Sequence, residues 1–148
     1  PPRLLRDLVE GKAHTAHDDT YARAPVSYLH LASLPTPDEA TPVLDTLKRG
    51  DYFVTSGEVL IPSYSVQGTG SRRTIVADVE WTFPLDFVEV VWGDDQNVGR
   101  EVIRATELPP LATQHFSIPF AATGRKWVRF AVWDSAVNGA FVQPVWLE

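Results

Sequence analysis

The densest cluster of metal-ligating side chains in the sequence is His14-Thr15-Ala16-His17-Asp18-Asp19. Two imidazoles three residues apart, with carboxylates alongside, are donor types that hold zinc, manganese or iron. A helical turn or a folded-back loop would bring His14, His17 and Asp18 to one side. A zinc site asks for three or four protein ligands, however, and the other histidines, His30 and His115, lie far along the chain in strand-like contexts. A solvated polar loop, with Asp18 or Asp19 closing turn hydrogen bonds, competes with the metal site and is the outcome we expect from the residues alone.

Three further places carry chemistry on paper. In Ser56-Gly57-Glu58 the glycine allows a sharp turn, and Glu58 could be aimed into a cleft. Ser56, a histidine and Asp134 supply the residue types of a nucleophilic triad. The spacing of a nucleophile elbow and a Gly-rich oxyanion loop are both missing, so we expect a tight turn between strands, capped by Glu58. Gly93-Asp94-Asp95-Gln96-Asn97 lacks the alternating oxygens and closing Glu of a calcium loop and reads as a hairpin turn. Gly68 to Gly70, followed by Ser71, Arg72 and Arg73, does not open a helix and so makes a poor phosphate cradle.

The tryptophans pose the sharpest choice. Along a strand over Trp127–Trp133, Trp127, Arg129, Ala131 and Trp133 share one face, and Val128, Phe130 and Val132 share the other. If the aliphatic face is the core, Trp127 and Trp133 flank Arg129 outside. That surface would suit docking to a neighbouring domain or stacking of sugar rings, and we place docking first.

The elements that must position these residues follow from periodicity. The chain has 148 residues and no cysteine, with a net charge of −6 and sixteen aromatic side chains (five Trp, four Tyr, seven Phe). A domain of this length buries roughly 70% of its unfolded surface and needs no disulfide. The acidic balance argues against nucleic acid and anionic membranes as partners, and no apolar run is long enough to span a bilayer. The start at Pro1 and the lack of Met lead us to expect a piece of a longer polypeptide.

Short helices are expected over Pro2–Glu10 and Asp38–Arg49, the second with Thr36 as N-cap, Pro37 at the first position, a stripe of Val43, Leu44 and Leu47, and Gly50 as its stop. From Asp51 the period changes to two. Arg73–Phe83 alternates throughout, with Ile75, Ala77, Val79, Trp81 and Phe83 on one face. Strands are also expected over Tyr52–Thr55, Val59–Gln67, Phe87–Trp92, Val98–Ala105, His115–Phe120, Trp127–Trp133 and Phe141–Leu147. Turn signals at Gly68-Thr69-Gly70, Thr123-Gly124 and Asn138-Gly139 separate some of these runs. The fold class is all-β: an Ig-like antiparallel β-sandwich of about seven or eight strands over 51–148, preceded by a short helix-containing segment over 1–50.

Some of these runs look familiar together. Arg49-Gly50-Asp51-Tyr52-Phe53-Val54-Thr55-Ser56-Gly57 follows a helix, then come Pro84-Leu85-Asp86-Phe87-Val88-Glu89-Val90, Trp127-Val128-Arg129 and Gln143-Pro144-Val145. From about Thr41 to Leu147 the order resembles the C-terminal part of bacterial PHP-type metallohydrolases of the CehA/McbA group. The resemblance implies an upstream catalytic barrel holding a divalent metal, with this chain as a non-catalytic accessory sandwich against that barrel or at its substrate entrance. It also implies an extracytoplasmic location. His14 or His17 would then be a late ligand, although Lys12 and Thr15 stand where the family's Asp-x-His motif has Asp. A carbohydrate-binding module and a self-associating homo-oligomer are the alternatives from other classes. Donation of a ligand or a substrate contact, through His14, His17, Asp18 or Glu58, to a site completed by the missing domain is the enzyme alternative.

Overall fold

The computed structural model describes residues 25–104 and 109–147. The helix expected over Pro2–Glu10 lies outside them. Among the described residues, ten strands and one helix follow in chain order: β1 (Val26–Leu29), α1 (Thr41–Arg49), β2 (Tyr52–Thr55), β3 (Val59–Thr69), β4 (Arg72–Trp81), β5 (Leu85–Gly93), β6 (Val98–Arg104), β7 (Ala112–Ala121), β8 (Trp127–Asp134), β9 (Gly139–Val142) and β10 (Val145–Trp146). They form two antiparallel sheets. A seven-stranded sheet runs β1-β2-β9-β8-β5-β6, with β10 also pairing to β8, and a three-stranded sheet runs β3-β4-β7. The fold is all-β and sandwich-like. No helix among the described residues is long and apolar enough to cross a membrane.

The period-two pattern decides which faces meet. Ile75, Ala77, Val79 and Trp81 of β4, with Val59 and Ile61 of β3, turn inward from the small sheet. Val88 and Val90 of β5 and Val128, Phe130 and Val132 of β8 face them from the large one. Phe130 is fully buried, with its ring centroid 6.1 Å from that of Tyr64 and 6.2 Å from that of Phe116 across the sandwich. The Trp81 indole N–H, buried among aliphatics, donates to the Pro109 carbonyl at 2.8 Å, which removes the cost of enclosing an unmet donor.

Four details differ from the reading of the sequence, each for a local reason. The helix begins at Thr41, with Ala40 as its N-cap, because a start at Asp38 would place Pro42 where its missing N–H breaks a helical bond. Thr36 and Pro37 instead open a turn closed by the Glu39 N–H on the Thr36 carbonyl at 3.0 Å. The helix ends as expected at Gly50 (φ +71°), whose N–H meets Leu47 while that of Asp51 meets Thr46. Its inward residue is Thr46, whereas Leu44 and Leu47 of the expected stripe are exposed. The run Phe141–Leu147 is two strands, since Pro144 cannot donate to a ladder and β10 pairs with β8 on its own register. The fourth is β1, a four-residue edge strand just after Pro25 that pairs in full with β2.

Candidate functional site

Cross-strand register lays out the outer face of the seven-stranded sheet as a grid. Trp127, Arg129, Ala131 and Trp133 stand along β8, opposite Gly93, Val91, Glu89 and Phe87 of β5. Beyond β5 come Val98, Arg100, Val102 and Arg104 of β6, and on the far side of β8 Gly139 and Phe141 of β9 lie opposite Trp133 and Ala131. Val128, Phe130 and Val132 are the core, so the tryptophan face of β8 is the outer one.

Two of these indoles lie down on glycines. A Cβ built on Gly93 would come within 2.5 Å of the Trp127 ring, and one on Gly139 within 2.4 Å of Trp133. In both pairs the tryptophan and the glycine are direct cross-strand partners, and the ring covers backbone that glycine leaves bare. Trp92 repeats the device on the inner face with its partner Gly99. The Phe87 ring stacks on Trp133 at 6.3 Å between centroids, so Trp133 is enclosed from the side as well as from below.

The face therefore hides polar groups that would ordinarily stay wet. Glu89 is 9% exposed, and its carboxylate meets Arg100 at 3.5 Å. The Arg129 guanidinium sits 5.2 Å from the centre of the Phe141 ring, a cation–π distance. Arg129 Nε and Trp133 Nε1 are shielded from solvent and have no hydrogen-bond partner among the described residues. Of the arginines here, Arg100 pairs with Glu89 and Arg104 with Asp86 at 3.3 Å, while Arg129 has no carboxylate in ion-pair range among the described residues.

Comparison with protein-family models, curated proteins and solved structures returned no match.

The other sequence candidates fall elsewhere. His14, His17 and Asp18 lie outside the described residues, among which no group of three or more His, Cys, Asp or Glu residues could hold a metal. Glu58 borders a groove of about 290 Å³ with Glu80, Trp81 and Leu111, at an edge of the small sheet. It does not cap its turn. Thr55 does, because its hydroxyl donates to the Val59 carbonyl and accepts the Gly57 N–H at 2.9 Å from the start of the reversal. Ser56 and Asp134 are spent on structure. Gly139 N–H donates to Ser56 Oγ at 3.0 Å, and the Asp134 carboxylate accepts from Ala136 N, Asn138 N and Asn138 Nδ2 at 2.8–3.0 Å.

Asp94 fixes its hairpin by accepting from the Gln96 and Asn97 N–H groups, both at 2.7 Å, which holds its carboxyl below the ordinary range. The Arg73 guanidinium ties down the carbonyls of Gly68 and Gly70 at 2.7 and 3.2 Å.

One polar constellation escaped sequence reading. Ser63, Asp78 and His115 stand opposite one another on β3, β4 and β7. The Asp78 carboxylate accepts from Ser63 Oγ and meets His115 Nδ1 at 2.7 Å. Asp sits between Ser and His, whereas a triad needs His between the other two, so this geometry cannot activate the hydroxyl. Only register brings the three together, and they are 37 residues apart between Asp78 and His115.

Proposed function

We propose that this chain is a non-catalytic accessory sandwich, Ig-like in architecture, that docks onto the catalytic domain of a PHP-like metal-dependent hydrolase in the same polypeptide. The docking surface is the outer face of its seven-stranded sheet. The observation that carries this reading is a second dry face: Phe87, Trp127, Trp133 and Phe141 stand outside the sheet, over Glu89, Val91 and Ala131 that are each less than a tenth exposed. An antiparallel sheet needs only one such face for its own core, and an exposed aromatic one suits a protein neighbour. With Arg100 and Arg104 paired to Glu89 and Asp86, Arg129 alone among them favours an acidic group on a mostly apolar counterpart.

Sugar stacking on Trp127 and Trp133 fits less well. A stacking platform offers free ring faces, whereas Trp133 is packed between Phe87 and Gly139. Contribution of His14, His17 and Asp18 to a metal held by the catalytic domain is compatible with docking. Elemental analysis of the two-domain polypeptide, with a His14→Ala/His17→Ala variant, tests that part by the fall in bound metal.

The docking test uses acrylamide quenching of tryptophan emission. It compares the chain alone with the polypeptide that carries both domains. Emission should be markedly less quenched in the longer polypeptide, and Arg129→Glu/Phe141→Glu should return it to the level of the isolated chain. Equal quenching of the two wild-type proteins overturns docking. Concentration-dependent mass of the isolated chain in sedimentation would instead assign the face to a second copy.

A further inference from the structure

The β8–β9 turn contains a peptide bond with a reactivity of its own. The chain has two asparagines, Asn97 and Asn138. Asn97 precedes Val98, whose branched side chain crowds the backbone nitrogen, whereas Asn138 precedes Gly139, which leaves it bare. Before a glycine, an asparagine side-chain amide is open to attack by the next backbone nitrogen. A bond from Gly139 N to Asn138 Cγ closes a five-membered succinimide and the Cγ–Nδ2 bond breaks. The amide nitrogen departs as ammonia, with the proton that Gly139 gives up. Water then opens the ring at either carbonyl and leaves an aspartyl or isoaspartyl residue with one new carboxylate.

The folded turn withholds each part of this reaction. The Gly139 N–H, whose proton must go, donates to Ser56 Oγ at 3.0 Å, and the Gly139 carbonyl accepts from Ser56 N at 3.0 Å. Gly139 is buried, and a Cβ on it would lie 2.4 Å from the Trp133 ring. The leaving group, Asn138 Nδ2, donates to Asp134 Oδ2 at 3.0 Å, while Asp134 Oδ1 accepts from Ala136 N and Asn138 N. An acceptor has no proton to hand the departing amide. The succinimide nitrogen carries no hydrogen, so the ring closes only after the Ser56 contact has opened.

We infer that Asn138–Gly139 is a deamidation site that the fold holds shut, and that conversion opens the β8–β9 turn for good. The product puts a carboxylate where Asn138 Nδ2 now donates to Asp134, a residue only 3% exposed. Two carboxylates at that distance repel, and the isoaspartyl form also lengthens the backbone by a methylene. Gly139 then leaves its place beneath Trp133, so one slow reaction loosens an end of the aromatic face. The inference holds whatever that face docks to.

The test incubates the whole chain in mildly alkaline buffer, folded and in denaturing guanidinium chloride, and follows the Asn138 peptide by mass spectrometry. Asn97 is the internal control. In denaturant Asn138 should convert while Asn97 stays intact, and folding should slow the conversion about tenfold or more, the factor by which an open turn is rarer than a closed one. Ser56→Ala frees the Gly139 N–H and should speed conversion in the folded chain. Hydrogen exchange of the β8 core amides, which should stay protected, separates this release from global unfolding. Asn138→Asp carries the charge of the product and should lower the guanidinium midpoint and shift the Trp133 indole N–H resonance. Equal rates in folded and denatured protein overturn the gate, and an intact Asn138 in denaturant overturns the site. An Asn138→Asp protein with the wild-type midpoint and Trp133 resonance overturns the opening of the turn.

Discussion

The two sheets of this sandwich share one core and treat their outer faces in opposite ways. Outside β3-β4-β7 stand Ser63, Ser65, Gln67, Thr74, Asp78, Thr113, His115 and Ser117, polar side chains on a solvated surface. Outside β9-β8-β5 stand Phe141, Trp127, Arg129, Trp133, Phe87, Glu89 and Val91, and Glu89, Val91 and Ala131 are each less than a tenth exposed. An antiparallel sheet needs only one dry face. A second dry face, built with tryptophans laid over glycines, costs packing specificity that the core does not require. That is why the aromatic face is read as functional and the polar one as ordinary surface.

The turn that carries the aromatic face should be its most vulnerable point. Asp134 is 3% exposed and accepts three hydrogen bonds within the β8–β9 connection, so Asp134→Ala leaves several donors unmet at once. A loss of about 3 kcal/mol is expected in urea unfolding. The comparable change at the polar face, Ser65→Ala, should stay within about 0.5 kcal/mol. Similar losses at both sites would remove the contrast between the faces.

Next come the glycines. Gly139→Ala and Gly93→Ala each force an indole off the sheet and should destabilise by about 1–3 kcal/mol. They should also shift Trp emission to the red as the rings become wetter. Unchanged emission with unchanged stability would mean that the rings are free to swing and do not pave the face.

Val137 offers a change of opposite sign. It takes φ +68°, a conformation that a β-branched residue adopts only under constraint, and it is 84% exposed. Val137→Gly should stabilise by about 1 kcal/mol, because the turn is held by Asp134 and loses nothing from the side chain. A destabilised variant would show that the Val137 side chain makes a contact of its own.

Much of this contrast was legible in the sequence, and its missing parts are instructive. The alternation of β4 gave the inward set Ile75, Ala77, Val79 and Trp81 directly, because period two is a property of a single strand. It overran only at Phe83, which is 42% exposed beyond the strand end at Trp81. The split of β8 into two faces was also visible, but not which face was inside, since Trp and Val are both apolar. Register was invisible. Asn138-Gly139 reads as a turn signal, yet the positive φ falls at Val137, and Gly139 is where the Trp133 ring lies. Ser63, Asp78 and His115 form a row for the same reason: pairing across strands is a tertiary fact that no spacing along the chain encodes.

The smallest effect belongs to that row. Hydrogen bonds from Ser63 and from His115 stabilise the charged form of Asp78 and hold its carboxyl below the usual 3.8, outweighing a small opposing effect of desolvation. A lowered folded-state value means that stability from this carboxylate is present above the unfolded value. It is lost as pH falls through the folded one. The row therefore contributes nothing to changes near neutrality from Asp78 and acts only in acid, below about 3.8. Carbon-detected NMR should find Asp78 titrating below the ordinary aspartate value, and Ser63→Ala should move it upward, since the Ser63 bond is the larger cause. If Ser63→Ala leaves the midpoint in place, the hydroxyl donates to water rather than to Asp78, and the polar face is looser than its register implies. Half-exposed side chains and solvent screening keep the accompanying change in stability slight, as befits a surface the fold leaves to water.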